Sequence, residues 1–138
     1  MDFQINYLAV LVSGVAAMFI GGFWYSPLLF GNIWIKLSGM TEKDIKAAKN
    51  RGMALSYFLN FVGALVMAFV LAHFLQVGDS ETIQDGMMIA FWLWLGFVAT
   101  VSLGTVLWEN KSWKLWLLNN AYNLVTLLVM ASILTVWK

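Results

Sequence analysis

Cysteine is absent from this 138-residue chain, and proline and histidine each occur once. Without cysteine, disulfide bonds, thiolate metal sites and a cysteine nucleophile are all excluded. The single histidine, His73, has no acidic residue within a helical turn, so we expect no metal site within one chain. The residues therefore predict a protein without a metal and without a cofactor.

Charge is also scarce, because only 11% of the residues are charged whereas 62% are apolar. The acidic residues fall outside the long apolar runs or at their ends: Asp2, Glu42, Asp44, Asp79, Glu81, Asp85 and Glu109. A proton relay needs ionisable groups within the membrane, and an enzyme needs a nucleophile and base that can be named. We therefore predict that the protein is not an enzyme, and proton-coupled transport is disfavoured.

Four apolar runs dominate what is present, at about residues 5–25, 53–77, 83–108 and 113–137. Each contains roughly 20 residues or more, which as a helix spans the ~30 Å hydrocarbon core of a bilayer. The amino terminus is acidic and no small-residue cleavage site follows the first run, so we expect a retained first span. The predicted fold is an all-α integral membrane four-helix bundle in a single transmembrane domain, residues 1–138.

The first connection begins at Pro27, which ends the first span. Residues 28–38 carry apolar side chains at helical spacing, which fits either a short interfacial helix or an irregular loop on the bilayer surface. Thr41 followed by Asp44 predicts a capping box that begins a charged helix.

Small residues recur at four-residue steps, which predicts close helix packing. Span one carries Ser13, Ala17 and Gly21, and span three carries Gly96, Thr100 and Gly104. Span two has the longest ridge of small or amide side chains: Gly52, Ser56, Asn60, Ala64, Ala68, Ala72 and Gln76. We predict that this ridge faces span one, with Ala64, Ala68 and Ala72 in the contact.

Polar side chains within the spans are neutral, and the candidate cluster is Asn60, Thr100, Asn119, Asn120, Asn123 and Thr126. One interpretation is that these groups bond helices together. The other is that they line a site for a small solute, a lipid headgroup or an ion. Counting residues along the helices predicts that Asn119 and Asn123 bond toward Thr100 and the backbone at Gly96 and Gly104.

Two tryptophans, Trp92 and Trp94, lie deeper in span three than the usual interfacial belt, so each indole N–H needs an acceptor there. A similar order of glycine, tryptophan and lysine in the two halves makes a pair of helical hairpins an alternative form of the bundle.

Basic residues predict the orientation. The first connection holds Lys36, Lys43, Lys46, Lys49 and Arg51, the third holds Lys111 and Lys114, and only Lys138 lies elsewhere. By the positive-inside rule both connections face the cytoplasm, so both termini lie outside a cell inner membrane. This basic run is a topology signal, and no nucleic-acid partner is predicted.

Three segments carry a family resemblance: GGFWYSPLLFG at 21–31, WLG at 94–96 and LWENKSWKLWLLNNAYNLV at 107–125. Together they resemble a family of small bacterial membrane proteins catalogued as domain of unknown function 1761. The resemblance implies a four-span protein of similar size, and it implies no activity and no functional residues.

The residues favour a packing or scaffold module that assembles with itself or with another membrane protein, surrounded by membrane lipid. The alternative is a small transporter or channel lined by Asn119, Asn123 and Thr100.

Overall fold

The structure, a computed structural model, describes residues 2–138 and is helical without a strand in that range. The helices are α1 (Tyr7–Trp24), α2 (Gly31–Ser38), α3 (Glu42–Arg51), α4 (Ala54–Val77), α5 (Ile83–Leu107) and α6 (Trp113–Val136). Four of them, α1, α4, α5 and α6, are long and apolar enough to cross a membrane, and all four lie within the predicted spans. The all-α bundle is confirmed.

Local signals in the sequence explain where the helices begin. Asn6 caps α1 by accepting from the backbone N–H groups of Leu8 and Ala9. The predicted capping box of Thr41 and Asp44 begins α3. A hydrogen bond from the Thr41 backbone N–H, and to a smaller extent one from the Thr41 hydroxyl, holds the pKa of the Asp44 carboxyl below its usual range.

A tight loop joins α1 to α2. A side chain at Gly31 would meet the Tyr25 carbonyl oxygen at 2.5 Å and the Ser26 carbonyl carbon at 2.7 Å, so only glycine fits here. Residues 31–38 then form the helix α2, which contacts α6. Of the two alternatives for this connection, the helix is therefore the one observed.

Helix α6 is the centre of the bundle and contacts α1, α4 and α5. Helix α1 also packs on α4, so sequential helices form two hairpins that join through α1 and α6. Tight contacts hold these pairs: a Cβ at Gly14 of α1 would meet the Leu65 side chain of α4 at 2.6 Å. A Cβ at Gly86 of α5 would lie 3.1 Å from the Ala131 carbonyl of α6.

Part of the small-residue stripe of α1 faces α6, whereas the prediction placed the stripe against α4. Ser13 and Ala17 are buried. A Cβ at Gly21 would meet the Tyr122 hydroxyl of α6 at 2.8 Å, and the same hydroxyl reaches the Ala17 carbonyl at 3.4 Å. Bulky Tyr122 occupies the space beside Ala17 and Gly21, so this part of the stripe packs on α6, not on α4.

The ridge of α4 is buried along only part of its length. Ala68 and Ala72 are buried and Ala64 is half-buried, whereas Ser56 and Asn60 are exposed. Within residues 54–63 only Phe61 is even partly covered. The first half of α4 is therefore mostly exposed, although the Asn60 amide still reaches the Met18 sulfur of α1 at 3.6 Å. The prediction that the ridge packs on α1 is wrong at Ser56.

Helix α5 is irregular at its centre. It is α-helical over Ile83–Leu93, π-helical over Trp94–Ala99 and α-helical again over Thr100–Ser102 and Gly104–Leu107. A π segment widens the turn and changes which side chains face a neighbouring helix, and such segments are frequent at functional sites.

Candidate functional site

Asn120 is the most enclosed polar side chain of the predicted cluster, with 2% of its surface exposed. Its amide nitrogen donates to the Trp116 carbonyl at 2.9 Å, one turn earlier on α6. Its amide oxygen lies 2.9 Å from the Ser102 hydroxyl of α5. An amide between two helices in hydrocarbon is stabilised by such bonds because no water competes.

Two indoles complete this network. The Trp94 N–H donates to the Asn120 carbonyl at 2.9 Å, and the Trp116 N–H donates to the Ser102 oxygen at 3.1 Å. The predicted need of Trp94 for an acceptor is therefore met by backbone of α6. Because the side-chain groups of Asn120, Ser102, Trp94 and Trp116 all have partners, the network bonds α5 to α6 and leaves nothing to hold a ligand.

Asn119 bonds in a different direction. Its amide oxygen accepts from the Tyr25 hydroxyl at 2.7 Å, which ties the end of α1 to α6. The Tyr25 ring meets Tyr122 and Trp34 edge-on, with centroids 5.2 and 5.8 Å away. Asn119 is thus a structural contact at the end of the bundle that carries the basic connections.

Thr100, Gly96 and Gly104 are not partners of the asparagines. The Thr100 hydroxyl donates to the Gly96 carbonyl of its own helix at 2.6 Å, and both residues are exposed. Ser102 faces α6, and residues two apart on a helix point about 200° from each other, so Thr100 faces outward. The prediction that Asn119 and Asn123 bond toward Thr100, Gly96 and Gly104 is therefore wrong.

The remaining polar residues of the cluster converge on a cavity. Asn60 of α4 and Asn123 and Thr126 of α6 line a space of about 280 Å³ between α1, α4 and α6. Three methionines, Met18, Met67 and Met130, form much of the apolar wall. This space lies beside the mostly exposed first half of α4.

The polar groups of this cavity have few partners within the described residues. The Thr126 hydroxyl is buried without a hydrogen bond there. The Asn60 amide reaches only the Met18 sulfur, at 3.6 Å, a weak acceptor. No charged side chain lines the cavity. The arrangement therefore offers neutral hydrogen-bonding groups to whatever enters it.

A second cavity lies at the opposite end of the bundle, with a volume of about 430 Å³. The backbone N–H of Gln4 donates to the Gln76 side-chain oxygen at 3.2 Å there, and the Gln76 side-chain nitrogen donates to the Gln4 carbonyl at 2.6 Å. The Lys138 ammonium donates to the Ser80 carbonyl. These contacts join residue 4 to the last turn of α4 and residue 138 to the turn that follows α4.

Metal ligands do not gather in the described part of the chain, where no three His, Asp or Glu side chains lie close together. The His73 ring lies against Phe3 and Phe69, and its Nδ1 is 2.7 Å from the Phe69 carbonyl. The His73 ring thus packs between Phe3 and α4, and its Nδ1 bonds within α4.

Sequence reasoning missed two aromatic residues of these sites, Tyr25 and Tyr122. Tyr122 precedes Thr126 by four residues, so both lie on one face of α6, and this spacing is the signal that was available. Tyr25 gives no such signal, because its bond to Asn119 joins residues 94 apart in the chain.

Comparison with known families identifies the chain. Residues 8–135 match the family described as "Protein of unknown function (DUF1761)", which covers the four long helices almost completely. The chain belongs to the DUF1761 family. No curated protein and no solved structure matches it. The DUF1761 match thus confirms the resemblance read from the three sequence segments, and its description names no activity.

Proposed function

We propose that this DUF1761 protein is a non-enzymatic assembly module of the membrane that pairs with a second copy of itself. The proposed contact is the outward surface of α5 at Trp92, Gly96 and Thr100, called here the α5 face. One observation carries the proposal: a Cβ placed at Gly96 meets no atom within 4 Å, although glycines at helix contacts elsewhere in the bundle are tightly enclosed.

The α5 face has the chemistry of a helix contact. Glycine and threonine let two helices approach closely, and in lipid such packing is a main source of association. Trp92 is 60% exposed, and its indole N–H has no acceptor among the described residues. An unpaired N–H in hydrocarbon is costly, so a neighbouring helix that supplies an acceptor lowers the free energy.

A second copy is the occupant that fits the α5 face most simply. The small residues Ser13, Ala17, Ala68 and Gly86 are already used in contacts inside the chain, so they are not free to pair with a second copy. Two α5 faces related by a two-fold axis along the membrane normal place glycine beside glycine and keep both copies in one orientation. Such a contact uses the same residues on both copies, so the chain needs no second binding surface.

The proposed setting is the cell inner membrane, with lipid as the surrounding partner, both termini outside the cytoplasm and no nucleic-acid partner. The basic residues of α2, α3 and the connection after α5 support this orientation.

Association in bilayers tests the proposal. Full-length chains labelled with donor and acceptor dyes are diluted in phosphatidylcholine liposomes, and energy transfer is followed. We expect a concentration-dependent dimer whose dissociation constant rises at least about tenfold in Gly96→Leu, because the leucine separates the helices. Gly22→Leu is the matched control, because Gly22 also has open space around it but lies on α1. No energy transfer above random proximity, or equal loss in both variants, would refute the proposal.

A transporter is the second candidate, and the cavity at Asn60, Asn123 and Thr126 favours it. The lining of Asn119, Asn123 and Thr100 expected from sequence is not assembled. Buried Ala68, Leu71 and Met130 separate this cavity from the one near Lys138, so transport needs a conformational change. Solute flux into liposomes that exceeds flux in protein-free liposomes favours this candidate over an assembly module.

A further inference from the structure

The cavity between α1, α4 and α6 is the strongest site outside the α5 face. Thr126 is one of the residues that line the cavity, with 4% of its surface exposed, and its hydroxyl oxygen is buried without a hydrogen-bond partner among the described residues. Buried hydroxyls are nearly always bonded, so an unpaired one in a residue at a cavity wall points to a missing partner.

The lining defines the chemistry of that partner. Asn60 and Asn123 line the cavity with amides that can donate and accept, and the lining residues Tyr122 and Thr126 each carry a hydroxyl. No charged side chain is present to balance an ionic head. The methionines adapt their shape to an apolar body. The preferred ligand is therefore uncharged, with a hydroxyl or carbonyl head and an apolar tail.

The size and opening of the cavity indicate how such a ligand enters. At about 280 Å³ the space is near the lower end of ordinary ligand pockets, which suits the head of a longer molecule. Leu59 on its rim is 57% exposed, and Gly63 beside it is also exposed. The tail can thus remain in the bilayer along the first half of α4.

We propose that Asn60, Asn123 and Thr126 form a binding site for an uncharged amphiphile that enters from the bilayer and bonds through a hydroxyl or carbonyl group. No residue of α5 lines this site, so the site and the α5 face share no residue.

Photolabelling tests the site directly. The full-length protein is placed in phosphatidylcholine nanodiscs with a long-chain fatty alcohol that carries a diazirine, and the labelled residues are mapped by mass spectrometry. We expect saturable labelling at residues 59–67 and 122–130, which unlabelled long-chain alcohol displaces. An alkyl sulfate of the same length, carrying the same diazirine, should not label these residues saturably.

Two pairs of variants separate binding from folding. Gly63→Leu directs a side chain into open space at the cavity wall, so it should abolish saturable labelling without loss of thermal stability. Gly22→Leu, its control on α1, should leave labelling unchanged. Thr126→Val should weaken binding about fivefold, the value of one hydrogen bond. Thr105→Val, whose hydroxyl bonds its own helix at Ser102, should not.

The outcomes also identify the source of the ligand. Displacement by long-chain alcohol but not by hexanol added from water supports entry from the bilayer, as proposed. Displacement by hexanol at equal aqueous concentration assigns the site to a free small molecule and overturns the bilayer route. Labelling that is unsaturable, equal for alcohol and sulfate, or unchanged in Gly63→Leu overturns the site itself.

Discussion

Asn120 and Asn123 lie three residues apart on α6 and have opposite surroundings. Asn120 is buried and bonded on both ends of its amide, to Trp116 and Ser102. Asn123 lines a cavity, and its amide has no hydrogen bond among the described residues. The two interpretations of the polar cluster, helix bonding and ligand lining, therefore apply to different residues.

Replacing each asparagine with leucine separates these roles. Asn120→Leu should destabilise the bundle by about 1 kcal/mol, because the Ser102 and Trp116 groups lose a partner in hydrocarbon. Asn123→Leu should change stability by less than about 0.5 kcal/mol, because no bond is lost. Thermal unfolding of the full-length protein in one detergent measures both. A larger loss for Asn123→Leu than for Asn120→Leu would show that the roles are reversed.

Sequence could predict which helices carry these polar residues but not the direction in which they point. Thr100 and Asn123 lie within α5 and α6, which are long and apolar enough to cross a membrane. The error was rotational: Ser102, and not Thr100, faces α6. A rotation is hard to read from sequence here because the π segment at Trp94–Ala99 interrupts the helical period that such a prediction assumes.

At the scale of helices, α4 shows that one regular pattern of small residues can be exposed in one half of a helix and buried in the other. Its four-residue ridge is continuous from Ser56 to Ala72, yet only the later part is buried. Tyr122 and Met130 of α6 line the cavity beside this part of α4. Whether a ridge position is covered depends on such residues of a neighbouring helix, so the ridge alone does not predict it.

This difference in burial makes substitutions on one ridge unequal. Ala68→Leu should cost about 1–3 kcal/mol, because Ala68 is fully buried against neighbouring helices. Ser56→Leu, twelve residues earlier on the same ridge, should change stability by less than about 0.5 kcal/mol because Ser56 is exposed. Denaturant titration of both variants in detergent measures the difference. Equal destabilisation would mean that α4 packs along its whole length.

At the scale of the whole molecule, the number and approximate bounds of the long helices were the most predictable features. Long apolar runs, caps and breaking residues are local features, so four spans and the helix α3 followed from the sequence. The pairing of helices through Gly14, Gly21 and Gly86 depends on contacts between distant residues. Small-residue spacing indicated that such contacts exist but not which helices they join.

Topology is the prediction that belongs to the whole chain. Because no native cysteine exists, Lys46→Cys and Glu81→Cys each carry a single thiol at an exposed position. An impermeant thiol reagent applied to intact cells should label Glu81→Cys and not Lys46→Cys, since basic connections remain in the cytoplasm. Both should react after the membrane is opened. If only Lys46→Cys is labelled on intact cells, the orientation is the reverse of the one predicted.

Disulfide crosslinking at the α5 face tests the central claim, self-association, most directly. Two Thr100 positions in contact across a two-fold axis can approach within the 4.4–6.8 Å between Cα atoms that a disulfide requires. Mild oxidation of Thr100→Cys in intact membranes should therefore give a covalent dimer. Val66 of α4 is 57% exposed but lies outside the α5 face, so Val66→Cys should remain monomeric. A monomeric Thr100→Cys chain, or equal crosslinking of both variants, would contradict assembly through the α5 face.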